Sequence, residues 1–118
     1  MNIPKAFADG NVEPMASSVL LAKDIAFACP DQGIVALLQG MKERPDRSGV
    51  LAEGEKPVLL VGGRKDNYIS GEVFARLQSI VPRAGVLYLE SSGHMGFLEE
   101  TDKVVEAMEI FSNRLDWK

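Results

Sequence analysis

The sequence predicts an α/β fold: two parallel strands joined by a crossover helix, with a helical N-terminal half. Three observations carry this. Residues 57–61 (Pro-Val-Leu-Leu-Val, closed by Gly62-Gly63) and 86–90 (Val-Leu-Tyr-Leu-Glu) are short apolar runs of strand length. Between them Val73, Phe74, Leu77, Ile80 and Val81 form one apolar stripe at helical spacing. A strand–helix–strand unit of this length is a parallel pair with a right-handed crossover. Finally, Val104, Val105, Met108, Phe111 and Leu115 line one side of a last helix. Two strands are few for a parallel sheet, which is normally larger and covered on both faces. The strand at 57–61 therefore lacks an expected neighbour on its other edge.

The elements follow in order. Residues 1–14, with Pro4, Gly10 and Pro14, read as an irregular arm. Residues 15–28 are alanine- and leucine-rich and fit a helix whose apolar residues fall on more than one face, as expected if it is buried on several sides or met by a partner. Cys29-Pro30 ends it, because proline disfavours the helical conformation of its predecessor. Asp31 is the expected N-cap of a second helix carrying Ile34, Val35, Leu38 and Met41, stopped by Arg44-Pro45-Asp46. A charged connection spans 44–56. The first strand should be buried on both faces. Ser70 is placed to cap the crossover helix, Pro82 and Gly85 to end it, and Thr101 to cap the last one.

Composition bounds the function. The 118 residues make one domain at most, and 46% hydrophobic with 25% charged residues excludes disorder. Thirteen Lys+Arg against seventeen Asp+Glu give a net charge of −4 without a basic cluster, which argues against nucleic acid as a partner. No apolar run is long enough to span a membrane, and no leader-like stretch follows Met1; a cytoplasmic location is expected. The single cysteine, Cys29, has no internal disulfide partner and with His94 alone cannot complete a zinc site; it is expected to be a small buried hydrophobe. Gly62-Gly63 lacks the patterns of a phosphate loop, so no cofactor is expected. Met15, Met41, Met95 and Met108 read as core filler or pocket lining.

Chemistry concentrates at one rim. Parallel strands place their C-terminal ends on the same sheet edge, where open α/β folds build their sites. The first strand delivers Gly62-Gly63-Arg64-Lys65-Asp66-Asn67 to that rim and the second delivers Ser91-Ser92-Gly93-His94-Met95-Gly96. Neighbouring strands lie about 4.8 Å apart, so Asp66 and His94 can meet. An aspartate accepting the imidazole Nδ1–H fixes the tautomer and leaves Nε2 free to take a proton from a nucleophile. The plain alternatives are a turn residue for Asp66 and a solvated loop histidine. Ser91 and Ser92 read as turn residues, and Arg64 and Lys65 as loop cations that could lower the Asp66 pKa.

Two segments carry a family resemblance. Lys56-Pro-Val-Leu-Leu-Val-Gly-Gly-Arg-Lys-Asp66 resembles the α/β-hydrolase strand that ends in Gly-x-x-Asp and presents the triad acid. Leu89-Glu-Ser-Ser-Gly-His94-Met-Gly-Phe-Leu-Glu-Glu100 resembles that family's closing histidine segment, and Gly40-Met-Lys-Glu-Arg-Pro-Asp46 resembles the stretch before the acid strand in members with a helical cap. The resemblance spans about residues 33–115. It implies a C-terminal fragment of an α/β-hydrolase fold, with a cap-like helical segment at 1–50 and a strand–helix–strand–helix unit at 51–118, as one partial domain. It also implies Asp66 as triad acid and His94 as general base. The family's Gly-x-Ser-x-Gly nucleophile elbow is missing from the sequence. The expectation is a chain that supplies acid and base for hydrolysis of an ester or similar bond, acting on a small-molecule substrate only with the nucleophile-bearing N-terminal half. The alternative is a stand-alone, non-catalytic binding or assembly module. In either case self-association is expected, because two strands leave apolar surface uncovered.

Overall fold

The structure is a computed structural model and describes residues 2–114. In chain order it contains α1 (Ile3–Ala6), a 3-10 turn (Asp9–Asn11), α2 (Ala16–Ala28), α3 (Asp31–Glu43), α4 (Ser48–Glu53), β1 (Leu59–Gly63), α5 (Gly71–Ile80), β2 (Gly85–Leu89), α6 (Gly96–Glu99) and α7 (Thr101–Asn113). The two strands are parallel, with Leu59 opposite Gly85 and Gly63 opposite Leu89. Both are displaced from their expected bounds. β1 starts two residues late and continues through the glycine pair, because Arg64 N still donates to Leu89 O at 2.9 Å; β2 starts one residue early, where Gly85 N donates to Val58 O at 2.9 Å.

Side-chain alternation assigns each face. Leu60 and Gly62 face α5, where a Cβ on Gly62 would collide with the Phe74 ring at 2.6 Å. Phe74 meets Tyr88 edge to face at 5.1 Å, and the Tyr88 hydroxyl donates to Gln78 Oε1 at 2.6 Å. Leu89 lies on the opposite face beneath α6, so close that a Cβ on Gly96 would sit 2.4 Å from it. The crossover helix and the C-terminal helices thus cover opposite faces. Among the described residues β1 has no second neighbour, and Val61 is 40% exposed while Leu60 is buried. β1 is thus closed on the α5 face and only partly covered on the other, not buried on both.

Other expectations also need correction. The N-terminal arm is not irregular: α1 and the 3-10 turn bracket Ala6, Phe7 and Ala8, all fully buried. The connection at 44–56 contains α4, whose start is held by Asp46 Oδ1 accepting from Ser48 N and whose last carbonyls take hydrogen bonds from Arg83. Pro30 and Glu100, not Asp31 and Thr101, occupy the N-cap positions of α3 and α7; the Thr101 hydroxyl instead donates back to Phe97 O at 2.8 Å. Ser70 does cap α5, accepting from Val73 N. Cys29 is exposed, since its helix end projects from the core, and Met41 and Met108 are exposed as well. Leu115 lies outside the described residues.

The core is off-centre. α2 buries Val19 alone, α3 buries nothing, and Leu20, Leu21, Ile25, Phe27, Leu37 and Leu38 are more than half exposed. A 12.9 kDa compact monomer exposes about 6,300 Å², whereas this chain exposes 8890 Å². Its radius of gyration, 16.1 Å, likewise exceeds the roughly 13 Å of a compact domain of this length. No helix among the described residues is long and apolar enough to cross a membrane.

Candidate active site

Asp66 ends the turn that leaves β1, and both its oxygens are committed. Oδ1 accepts from Tyr68 N at 2.7 Å and Ile69 N at 2.9 Å, the local turn that the plain reading foresaw. Oδ2 faces His94 Nδ1 at 2.9 Å. The turn therefore aims the carboxylate: with Oδ1 pinned by two amides, Oδ2 has one direction left. The Asp66 side chain is 8% exposed and the imidazole 39%. Burial alone would raise the Asp66 pKa. The hydrogen bonds from Ile69 N, the His94 ring and Tyr68 N, with the charge on His94, outweigh it and hold the carboxyl below its ordinary value. Arg64 and Lys65 are not among these causes, and the Arg64 guanidinium instead lies 3.4 Å over the Tyr88 ring and pairs with Glu90.

His94 sits on the turn after β2, with the Tyr68 ring edge-on at 5.5 Å. The turn rests on the N-terminal arm, because His94 N and Met95 N both donate to Ala6 O, at 2.7 and 3.1 Å. Two glycines permit the close approach. A Cβ on Gly93 would lie 2.6 Å from Ala8 N, and one on Gly63 would lie 2.1 Å from Gly93 O. Asn67, next to the acid, extends its amide to Lys5 O, Phe7 O and Asp9 Oδ1. Sequence reasoning missed this support. The arm is short and aperiodic, and its partners lie 58 or more positions away. An asparagine directly after the acid was the one available signal.

Beside the pair opens a cavity of about 290 Å³ along the free edge of β1. Val61, Ile69, Phe74, Leu89, Phe97 and Val104 supply its apolar walls; Asp66 and His94 are its titratable groups. An apolar pocket with one convergent polar pair is the usual form of a small-molecule site. The arrangement can orient an imidazole and stabilise its cation, with Nε2 left to exchange a proton. Ser92 is buried with its hydroxyl donating to Glu100 Oε2 at 2.6 Å, and Ser91 N donates to the same oxygen, so both serve the turn. Among the described residues no group of three or more His, Cys, Asp or Glu is placed to hold a metal.

Known proteins resemble this chain in both sequence and shape. It is 30% identical over 71 residues to Lipase 1 of Psychrobacter immobilis, covering 60% of this chain and 22% of the lipase. It is 31% identical over 72 residues to the pimeloyl-[acyl-carrier protein] methyl ester esterase of Xanthomonas campestris pv. campestris, covering 61% of this chain and 28% of the esterase. The chain thus spans about a quarter of the length of the curated relatives it matches. In structure it is similar to a thermophilic esterase from Thermogutta terrifontis, with a TM-score of 0.88 at 20% identity over 95% of this chain and 41% of that one. No protein-family model matches. The parallel strand pair and these likenesses show a chain with part of an α/β-hydrolase fold.

Proposed function

We propose that this α/β-hydrolase segment supplies the acid, Asp66, and the base, His94, of a Ser-His-Asp type site that hydrolyses an ester or similar bond. The observation that carries the reading is the 2.9 Å contact between His94 Nδ1 and an Asp66 carboxylate already fixed by two amides. The lipase and esterase names of the relatives support the reaction class. The nucleophile comes from a segment other than these residues. As its hydroxyl oxygen attacks the carbonyl carbon, its proton passes to Nε2, and Asp66 stabilises the imidazolium. His94 then protonates the departing alkoxide; water repeats the cycle on the acyl-enzyme and regenerates the hydroxyl.

Two partners suit the uncovered surface: the nucleophile-bearing half of a hydrolase, or a second copy of the chain. The exposed area exceeds that of a compact monomer by about 2,600 Å², more than the roughly 800 Å² that each partner buries in a standard protein interface.

A graft tests the catalytic reading. The matching segment of the Psychrobacter lipase is replaced by this chain's, so that Asp66 and His94 become the only triad acid and base. Ester hydrolysis by the graft that is abolished in His94→Ala supports the proposal; activity indifferent to His94→Ala sinks it. The chain by itself should not hydrolyse an aryl ester above background. Turnover that depended on His94 would place the nucleophile within these residues.

A further inference from the structure

Glu99 stands five residues beyond the histidine and takes no part in the proton transfers above. Its two carboxylate oxygens nevertheless divide between two distant pieces of backbone. Oε1 accepts from Gly93 N at 2.9 Å, one residue before His94. Oε2 accepts from Ala8 N at 2.9 Å and from Asn11 Nδ2 at 2.6 Å, both on the N-terminal arm. The same Asn11 amide also donates to Ser91 O at 2.8 Å, at the start of the histidine turn. The Gly93 and Ala8 amides lie in buried backbone, where a lost acceptor carries the full desolvation cost of the orphaned donor. Bonds to a charged acceptor are also the stronger kind.

We propose that Glu99 is a positioning residue for His94, its carboxylate clamping the 3–11 arm to the turn that carries the imidazole. The clamp closes a loop of contacts. Ala6 O receives His94 N and Met95 N from above, and Glu99 draws Ala8 and Gly93 together from the side. The imidazole is thereby held at the height where Nδ1 meets Asp66. A carboxamide cannot replace this carboxylate. It has one acceptor oxygen, and its NH2 group would face a donor on whichever side it points. The inference rests on reading His94 as the base, but its test does not depend on catalysis.

His94 is the only histidine in the sequence, so its ring nitrogens give a single set of NMR signals. In the full chain the hydrogen-bonded Nδ1–H is expected to be visible, with slow exchange at the amides of Ala8, Gly93, His94 and Met95. In Glu99→Gln the Nδ1–H signal is lost, and those four amides exchange at least about tenfold faster. Amides within β1, β2 and α5 keep wild-type rates, which separates loss of positioning from general loss of fold. Glu90→Gln, at an exposed carboxylate paired with Arg64, leaves the Nδ1–H signal in place. A folded Glu99→Gln chain that retains both the signal and slow exchange overturns the proposal. Should Glu99→Gln not fold, Asn11→Ala leaves the Glu99 carboxylate in place and removes only the Asn11 amide's two bonds, to Glu99 Oε2 and to Ser91 O. It is expected to speed Ala8 exchange and broaden the Nδ1–H signal, and wild-type behaviour there overturns the proposal equally. If the clamp holds and the grafted lipase stays inactive, the catalytic reading fails and the positioning one survives.

Discussion

Gly63→Ala should uncouple the acid from the base without touching either. Gly63 is the last residue of β1, and a Cβ there would lie 2.1 Å from Gly93 O and 2.5 Å from Ser92 O. Both obstacles are backbone, so no side chain can rotate away. Ordinary contact begins near 3.4 Å, so the Gly93 carbonyl must retreat by about 1.3 Å. Gly93 immediately precedes His94, and a shift of that size carries the 2.9 Å Nδ1–Oδ2 contact beyond the roughly 3.2 Å limit of a good hydrogen bond. Overpacking of this kind costs about 1–3 kcal/mol. With a urea dependence of about 1–3 kcal/mol per molar, a midpoint shift of about 1 M is expected. The assay pairs urea denaturation with the His94 Nδ1–H signal of the folded variant. Both should change together. An unchanged midpoint with an intact signal would refute the argument that this glycine exists for close approach of the histidine turn. Gly33→Ala, in α3 with open space around it, should instead be neutral or stabilising by up to about 1 kcal/mol.

Asp66→Asn can keep both amide bonds through its carbonyl, but its NH2 then faces Nδ1 and forces the imidazole proton onto Nε2. In the grafted lipase kcat should fall about 10⁴-fold, and ring-nitrogen NMR of the chain should report the switched tautomer; an unchanged tautomer would contradict the assignment. Because the Asp66 pKa is depressed in the fold, its ionisation adds stability that is fully present above the unfolded-chain value of about 3.9 and is lost as pH falls through the lower folded value. Its carboxyl carbon should titrate below the ordinary range, and a midpoint at or above that range would contradict the turn geometry. Phe74→Ala removes a ring packed on Gly62 and edge-on to Tyr88, for a loss of about 3–5 kcal/mol in denaturation. The exposed faces of α2 and α3 should make the purified chain self-associate on light scattering; a compact monomer that binds no hydrophobic dye would count against that.

What the sequence revealed depended on how local the cause was. β1, β2 and α5 follow from runs and stripes that each fit in ten residues, and the Asp66–His94 contact follows from two turns leaving neighbouring parallel strands. The arm did not, because Ala6, Phe7 and Ala8 are buried by contacts with the histidine turn nearly ninety positions away, and three residues carry no period. Cys29 misled for the converse reason. An apolar helix end suggests burial, but the end of α2 stands open to solvent, with Ile25, Phe27 and Cys29 all exposed. The expected caps of α3 and α7 failed for a local reason: Asp31 and Thr101 are already the first helical residues, one place too late to cap.

The closed and open parts of this chain coincide with the two tasks proposed for it. Asp66 and His94 are held by β1, β2, α6 and the 3–11 arm, where Phe7, Leu89 and Ser92 are all but sealed from solvent. None of those contacts passes through α3, which buries no residue at all. An isolated thirteen-residue helix is marginal in water, so α3 depends on whatever covers Val35, Leu38 and Met41. Removing or supplying that cover should therefore alter the helical half first and leave the acid–base contact in place. On the proposed reading the acid–base contact needs no partner to form, and a partner that brought a nucleophile would meet an imidazole already oriented by Asp66.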